Sequence, residues 1–333
     1  MRAAILLVFC LASTGAFAQS KTGTTVGQFL LIEPSARASA MGNAGVTAFG
    51  EAASVFYNPG AAGRLDGSAA QFTYGAWLAG ITYNYAATAL NLGDAGTMLL
   101  TVTALTSGEI DVRTVEQPLG TGERYEVNDL AFGLGYSRSF TDRFSAGLQV
   151  KYLRETIWHS AMSSVAVDFG VLYHLPFGTY LGASISNFGT RGRFDGRDLR
   201  VRYDQDPDVH GDNGSLPAAL VTDSYALPIL FRVGLGMPVV FNDYTRALFV
   251  VDAFQPSDNT QSVSLGAEWT FFDALALRGG YQHLGQQDSE VGLTLGGGLH
   301  YAFAANYAVG FDYAWAAHDT LGDTHRFTIG VSF

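Results

Sequence analysis

The sequence predicts an all-β fold: an antiparallel transmembrane barrel of fourteen strands. From about residue 69 to the end, apolar residues alternate with polar or small ones, which is the period of a strand with two different faces. The chain combines 40 Gly, 16 Tyr and 23 Phe with only 15 % charged residues. After Ala18, no uncharged apolar run approaches the roughly 20 residues that a membrane helix needs. If the chain spans a membrane, we therefore expect it to do so with strands.

The first eighteen residues predict a secretory signal peptide that is removed. Arg2 supplies a positive start, Ala3 to Ala12 form a short apolar run, and Ala16-Phe17-Ala18 is an A-x-A cleavage site. The only cysteine, Cys10, lies in that run, so the mature chain has no disulfide and must find its stability in a large sheet or core. Removal of Arg2 changes the net charge from −11 to −12, which makes nucleic acid a poor partner.

The alternation fits either a soluble sandwich or a membrane barrel. The barrel is favoured because the polar positions hold mostly Gly, Ser, Thr and Ala rather than Lys and Glu. The apolar positions also exclude charge from their middle, where a Lys or Arg facing lipid costs roughly 2–4 kcal/mol. Aromatic residues lie near predicted strand ends, as in an interfacial girdle: Trp77, Tyr83, Tyr136, Trp158, Tyr173, Trp269, Tyr281, Tyr301, Tyr313 and Trp315.

The strand count is even, which returns the chain to the side on which it started. Connections after even-numbered strands are mostly short, and most of the longer ones follow odd-numbered strands. We therefore expect both termini in the periplasm and the long loops outside the cell. The predicted strands are 69–78, 80–92, 95–107, 128–139, 143–156, 162–174, 179–188, 227–237, 245–254, 261–270, 274–283, 290–302, 305–315 and 324–333.

Ten charged residues fall in the phase that would face the barrel interior. They fit either structural ion pairs or a transport path, and ion pairs are the favoured interpretation. Arg154, in the outward phase, is expected near the rim. The inward set is Asp129, Arg143, Lys151, Asp168, Arg232, Glu268, Arg278, Glu290, Asp312 and Arg326.

Residues 19–68 precede the first strand and are rich in Gly and Ala. A fourteen-stranded barrel is wider than side chains alone can fill. The small residues allow close backbone approach, so the segment is interpreted as a plug. The alternative, a flexible linker, is disfavoured because Phe29, Leu30, Phe56 and Tyr57 are too apolar. The predicted organisation is a signal peptide (1–18), a plug or hatch segment (19–68) and a transmembrane barrel (69–333).

The most polar part of the chain is the predicted loop 189–226, a candidate partner-binding surface. Its first half carries basic residues and its second half carries acidic residues, and the acidic half suggests a calcium loop. An EF-hand would require Gly and a carboxylate where the chain has Val209 and Ser215, so a solvated surface loop is favoured. The residues concerned are Arg191, Arg193, Arg197, Arg200, Arg202, Asp204, Asp206 and Asp208.

Two stretches of the N-terminal segment, SARASAMGNAGV (35–46) and SVFYNPGA (54–61), resemble the signature of the PorV/PorQ family of type IX secretion outer-membrane proteins. That family is itself similar to FadL, a fatty-acid transporter with a fourteen-stranded barrel and an N-terminal hatch that contains an Asn-Pro-Ala turn; here the third residue is Gly60. The C-terminal strand resembles the signal read by the barrel assembly machinery. The motif residues are Ser35, Arg37, Met41, Gly42, Asn43, Gly45, Asn58, Pro59 and Gly60, with Phe327, Ile329, Val331 and Phe333 at the C-terminus.

The PorV resemblance implies an outer-membrane protein whose extracellular loops, 108–127 and 189–226, bind the signal domain of secreted cargo or the translocon. The FadL resemblance implies the alternative, passage of a hydrophobic small molecule.

A barrel enzyme is a third alternative, but no spacing around His159-Ser160 identifies a triad. The histidines lack the paired spacing of a zinc site, so we expect no metal, cofactor or catalytic residue.

Overall fold

A computed structural model describes residues 21–206, 208, 211, 215–286, 289–304 and 307–333. The predicted signal peptide lies outside these residues. Fourteen long strands follow in the predicted order, and each is built on the alternation described above. They are β1 (Ala69–Ala76), β2 (Thr82–Asn91), β3 (Thr97–Thr106), β4 (Val127–Ser139), β5 (Phe144–Ile157), β6 (Ser160–His174), β7 (Tyr180–Gly189), β8 (Leu230–Asn242), β9 (Thr245–Pro256), β10 (Ser262–Phe271), β11 (Leu275–Leu284), β12 (Val291–Ala304), β13 (Tyr307–His318) and β14 (Thr324–Ser332).

The sheet closes on itself. Every strand pairs antiparallel with the next one in the chain, and β1 pairs with β14 from Ala69↔Ser332 to Ala76↔His325. The structure therefore confirms the predicted fourteen-stranded antiparallel barrel. Among the described residues, no helix is long and apolar enough to cross a membrane.

The two faces of the wall differ as the alternation predicts. On β4 and β5 the outward Leu134 is 55 % exposed, whereas the inward Gln149 is 2 % exposed. Outward side chains are mainly Leu, Val, Phe and Tyr, which suits contact with hydrocarbon. Arg154 points outward and is exposed, three residues before β5 ends.

Three expectations about the wall are wrong in detail. Tyr83 is not in an aromatic girdle: it faces inward, is fully buried, and its hydroxyl donates to the carbonyl of Ile32 at 3.0 Å. Arg143 and Glu290 do not face the interior, because each lies exposed in a connection beyond a strand end. The alternation assigns a phase to these positions but does not show where the strand stops.

Strand β8 is longer than predicted, and the expected long connection 239–244 is a two-residue turn. Beyond Gly236, β8 pairs only with β9, since its pairing with β7 ends at Tyr180. Pro238, which has no N–H to donate, is therefore tolerated because one edge of the strand is free there.

The two ends of the barrel differ. The short-turn end carries the connections that follow even-numbered strands, and the long-loop end carries residues 107–126, 190–229 and 257–261. Ser68 and Phe333 bond to each other at the short-turn end, but the N–H of Lys21 donates to the carbonyl of Asp258 at the long-loop end. Residue 21 and the C-terminus thus lie at opposite ends, which corrects the expectation that both termini share one side.

Candidate functional site

The N-terminal segment, residues 21–68, runs from the long-loop end through the barrel interior to the short-turn end. Phe29 and Leu30 pack against the inward Leu153 and Met162 of β5 and β6. Further along the segment, residues 36–65 follow the inner wall around its circumference. Helical turns at Ala36–Ala40, Ser54–Tyr57 and Pro59–Arg64 shape this path.

The segment touches the wall where the wall has glycine. A Cβ on Gly280 would lie 2.3 Å from the backbone nitrogen of Gly42, and one on Gly170 would lie 2.1 Å from Oδ1 of Asn58. Only Gly allows such an approach at these wall positions. The inward glycines of the barrel are therefore complementary to the segment in shape.

The first motif forms a capped turn. The hydroxyl of Ser35 accepts the N–H of Ala38 at 3.1 Å and donates to Glu51 at 2.7 Å. Burial raises the pKa of Glu51, against the opposing charge of Arg37. The turn ends at Gly42, which has a φ of +69° and donates its N–H to Thr294. Met41, Asn43 and Gly45 of the motif are likewise buried.

The second motif, Asn58-Pro59-Gly60, is a turn that ties the segment to itself and to β6. The Asn58 amide donates to the carbonyls of Val46 and Val171 at 2.8 and 2.9 Å, and its Oδ1 accepts the N–H of Gly60. Asn58 is 0 % exposed, so all of its polar groups are satisfied within the protein.

Buried ion pairs join the segment to the wall. Arg37 donates from Nε and Nη2 to the two oxygens of Glu268 at 2.9 and 2.7 Å. Arg278 donates to Glu268 and to Asp312, both at 2.6 Å. Burial disfavours the charge on Arg37, but the Glu268 carboxylate outweighs it and holds the pKa of Arg37 above its usual value. These charges therefore form a neutral structural network.

A second interior pair lies on β5 and β6. Lys151 Nζ is 2.7 Å from a carboxylate oxygen of Asp168, and the other oxygen of that carboxylate accepts the N–H of Asn187. Asn187 has a φ of +63°, next to an irregularity in the β6–β7 pairing. This pair and the Arg37 network account for five of the ten inward charges that the sequence identified.

At the long-loop end, loops 107–126 and 190–229 meet the β5–β6 turn. They border an open cavity of about 680 Å³, lined by Ile110, Tyr125, Trp158, Phe194 and Asp198 among others. Ring contacts link Tyr125 to Trp158, with centroids 6.0 Å apart. No sequence pattern indicated that these loops would meet.

His159 holds this arrangement together. Its Nδ1 lies 2.9 Å from Asp198, and its Nε2 lies 2.6 Å from Arg197 Nη2. Arg197 Nη2 also lies 3.0 Å from Nδ1, so the guanidinium faces both ring nitrogens of His159. Ser160 bonds to Asp198 rather than to the imidazole, which is not the geometry of a catalytic triad.

The candidate partner loop contains its own hairpin, Arg200–Tyr203 paired with Leu216–Ala219. Arg191 donates to the carbonyl of Ser224, whereas Arg193, Arg200 and Arg202 are exposed. Asp204 and Asp206 accept backbone N–H groups in turns. Within the described residues, no group of three or more His, Cys, Asp or Glu could hold a metal; Val209 and Asp212 of the considered calcium loop lie outside them.

The C-terminal motif lies on β14. Phe327, Ile329 and Val331 point outward and are exposed, while the terminal Phe333 bonds to Ser68 through its backbone. The motif thus combines an apolar outer face with the strand that closes the barrel.

Comparisons with solved structures agree with this fold. A Pseudomonas aeruginosa FadL homologue matches with a TM-score of 0.54 and 11 % identity over 90 % of this chain and 96 % of that one. The P. putida toluene transporter TodX matches with a TM-score of 0.55 and 13 % identity over 90 % and 98 %. The Ralstonia pickettii toluene transporter TbuX gives 0.53 and 13 % over 91 % and 98 %. At these identities the likeness shows the fold alone.

A search of curated proteins finds no match. The sequence model of the family described as "Type IX secretion system protein PorV" matches residues 16–253, which is more than half of the chain. Together with the closed barrel, this match shows that the chain belongs to the PorV family of type IX secretion outer-membrane proteins.

Proposed function

We propose that this protein acts without catalysis in type IX secretion and binds the C-terminal signal domain of cargo, or the translocon, through its long-loop end. The observation that carries the proposal is the meeting of loops 107–126 and 190–229 around one cavity. A recessed site built from several loops on a rigid barrel is a common arrangement for recognition.

The surface around this cavity supports the proposal. In the two loops, Val115, Leu119 and Val221 are 100, 94 and 84 % exposed, and exposed apolar groups often mark binding surfaces. Arg200 and Arg202, in the same loop as Val221, are exposed and, within the described chain, have no acidic partner. A partner with an acidic face and apolar side chains fits this surface.

The orientation and processing of the chain belong to the same proposal. Residues 1–18 are removed, residues 19–68 act as the plug, and the barrel assembly machinery reads the C-terminal strand. The short-turn end faces the periplasm and the long-loop end faces outward. The buried network around Arg37 supports a segment that stays in place.

Crosslinking followed by pull-down from detergent tests the partner. We expect cargo signal domains or large secretion proteins to co-purify, and the double variant Arg200→Glu/Arg202→Glu to reduce their recovery. Arg143→Glu is the matched control, because Arg143 is equally exposed but lies at the short-turn end. Undiminished recovery with the loop variant would exclude this surface.

The second candidate is transport of a hydrophobic small molecule, which is suggested by the fold neighbours TodX and TbuX, both toluene transporters. The segment and its ion pairs fill much of the interior, so we favour the secretion role. Bound lipid without any protein partner after gentle purification would reverse that preference.

A further inference from the structure

The interior holds a buried arginine outside the ion-pair network. Arg232 on β8 is 1 % exposed, and its Nη1 donates to the hydroxyl of Ser186 at 3.4 Å. Its Nε and Nη2 have no hydrogen-bond partner among the described residues. A buried guanidinium without a bonded counter-ion is costly. The acids that act on it from further away are Glu33, Asp168 and Asp252.

Asp168 is engaged elsewhere, since it pairs with Lys151. Asp252 accepts the N–H of Val46 through one oxygen, while its other oxygen has no partner among the described residues. Neither neutralises Arg232 through direct contact. Arg278 shows the contrast: it is equally buried but bonds to two carboxylates. Arg278 therefore leaves only Nη2 without a partner, whereas Arg232 leaves both Nε and Nη2.

Aromatic rings surround Arg232. Its Cζ lies 5.4 Å from the ring centroid of Phe56 and 5.8 Å from those of Tyr57 and Phe254. The unpartnered Nε and Nη2 occupy one edge of the guanidinium, which is the edge that grips a carboxylate with two parallel hydrogen bonds.

The hydroxyl of Tyr57 is also buried and unpartnered among the described residues. A phenol hydroxyl can donate a hydrogen bond. The ring that carries it lies 5.8 Å from the guanidinium, so the same region holds a second unused donor.

A cavity near the long-loop end is separated from this region by the side chains of His283 and Phe254. The ring of Phe254 packs edge-on against His283, with centroids 6.3 Å apart. His283 in turn lines a cavity of about 340 Å³ between β11 and β12, whose pairing stops at Tyr281↔Leu293. A small molecule that enters this cavity reaches a side chain in contact with the aromatic wall of Arg232.

We propose that Arg232, Phe56, Tyr57 and Phe254 form a binding site for a small organic carboxylate with a flat apolar body. The carboxylate takes the free edge of the guanidinium, and the apolar body packs on the rings. A neutral molecule of the same shape would leave Nε and Nη2 unpaired, so the site discriminates by charge. This goes beyond the secretion role and does not depend on it.

Titration of the refolded, detergent-solubilised protein with benzoate tests the site. Refolding from urea removes any co-purified occupant, and isothermal titration calorimetry gives the affinity. We expect one molecule of benzoate to bind per barrel, with affinity about 10-fold or more above that of benzamide, its neutral analogue. Arg232→Met should remove this preference. Arg232→Lys should weaken it, because an ammonium group lacks the two parallel N–H donors of a guanidinium.

Arg326→Met is the matched control. Arg326 is 3 % exposed and its Cζ lies 5.0 Å above the ring of Trp77, but it is not among the groups around Arg232. Arg326→Met should keep the affinity for benzoate within about twofold of that of the wild-type protein, which is the scale of small electrostatic effects. The proposal is overturned if wild-type protein does not bind benzoate at millimolar concentration, or if a folded Arg232→Met variant binds it as tightly as wild type.

Discussion

Glu268→Gln removes the central carboxylate of the buried network. In the native protein, the two positive charges of Arg37 and Arg278 face the two negative charges of Glu268 and Asp312. The variant keeps the side-chain shape but leaves one uncompensated positive charge. The side chain of Glu268 is 8 % exposed and that of Arg278 is 0 % exposed, so water screens the charge poorly. We therefore expect the free energy of unfolding to fall by about 3–5 kcal/mol.

Urea unfolding from lipid vesicles, followed by tryptophan fluorescence, measures this change. The double variant Arg37→Met/Glu268→Gln restores neutrality, because Arg278 retains Asp312. It should therefore be more stable than Glu268→Gln alone, although it carries one more substitution. If Glu268→Gln lowered the free energy of unfolding by less than about 1 kcal/mol, the effect would be that of a solvated surface ion pair, and the reasoning would be refuted. A double variant less stable than the single one would refute it as well.

Three further outcomes are expected. Val167→Arg places a charge on the lipid face and should lower the stability of the inserted barrel by about 2–4 kcal/mol, measured by refolding into vesicles, whereas Val115→Arg in the fully exposed loop should not. Gly280→Ala should lower the free energy of local opening of the N-terminal segment by about 1–3 kcal/mol, as measured by hydrogen exchange. Gly279→Ala should have little effect, because a Cβ there would have its nearest contact 3.5 Å away. Asn58→Ala should cost about 1–3 kcal/mol by the same measurement, because it leaves buried backbone groups without partners; unchanged exchange would contradict the assigned contacts.

Much of the barrel could be predicted from the sequence, because alternation with a period of two is a local property that assigns each side chain to a face. Strand ends were less certain: the sequence predicts that β8 ends at residue 237, but the strand continues to Asn242 and pairs there with β9 alone, because its pairing with β7 stops at Tyr180. The inward phase of Arg232 was predictable. Its lack of a bonded carboxylate was not, since ring closure and strand stagger decide which interior groups meet.

The contacts of the N-terminal segment were beyond sequence reasoning for the same reason. Arg37 and Glu268 are 231 positions apart, and no pattern in one sequence links them. The small residues of the segment did suggest close packing against a glycine-rich wall. Its direction of travel, from the long-loop end to Ser68, depends on contacts such as that between Lys21 and Asp258.

The path of the segment constrains how the protein can be assembled. Residues 21–68 lead directly into β1, and β1 pairs with β14, the last strand of the barrel. Once β1 and β14 have paired, the barrel surrounds the segment. The part of the segment near Lys21 could then reach the long-loop end only by passing through a barrel interior that is already closely packed. The topology therefore implies an order of assembly: the N-terminal segment packs against the open sheet first, and the barrel then closes around it.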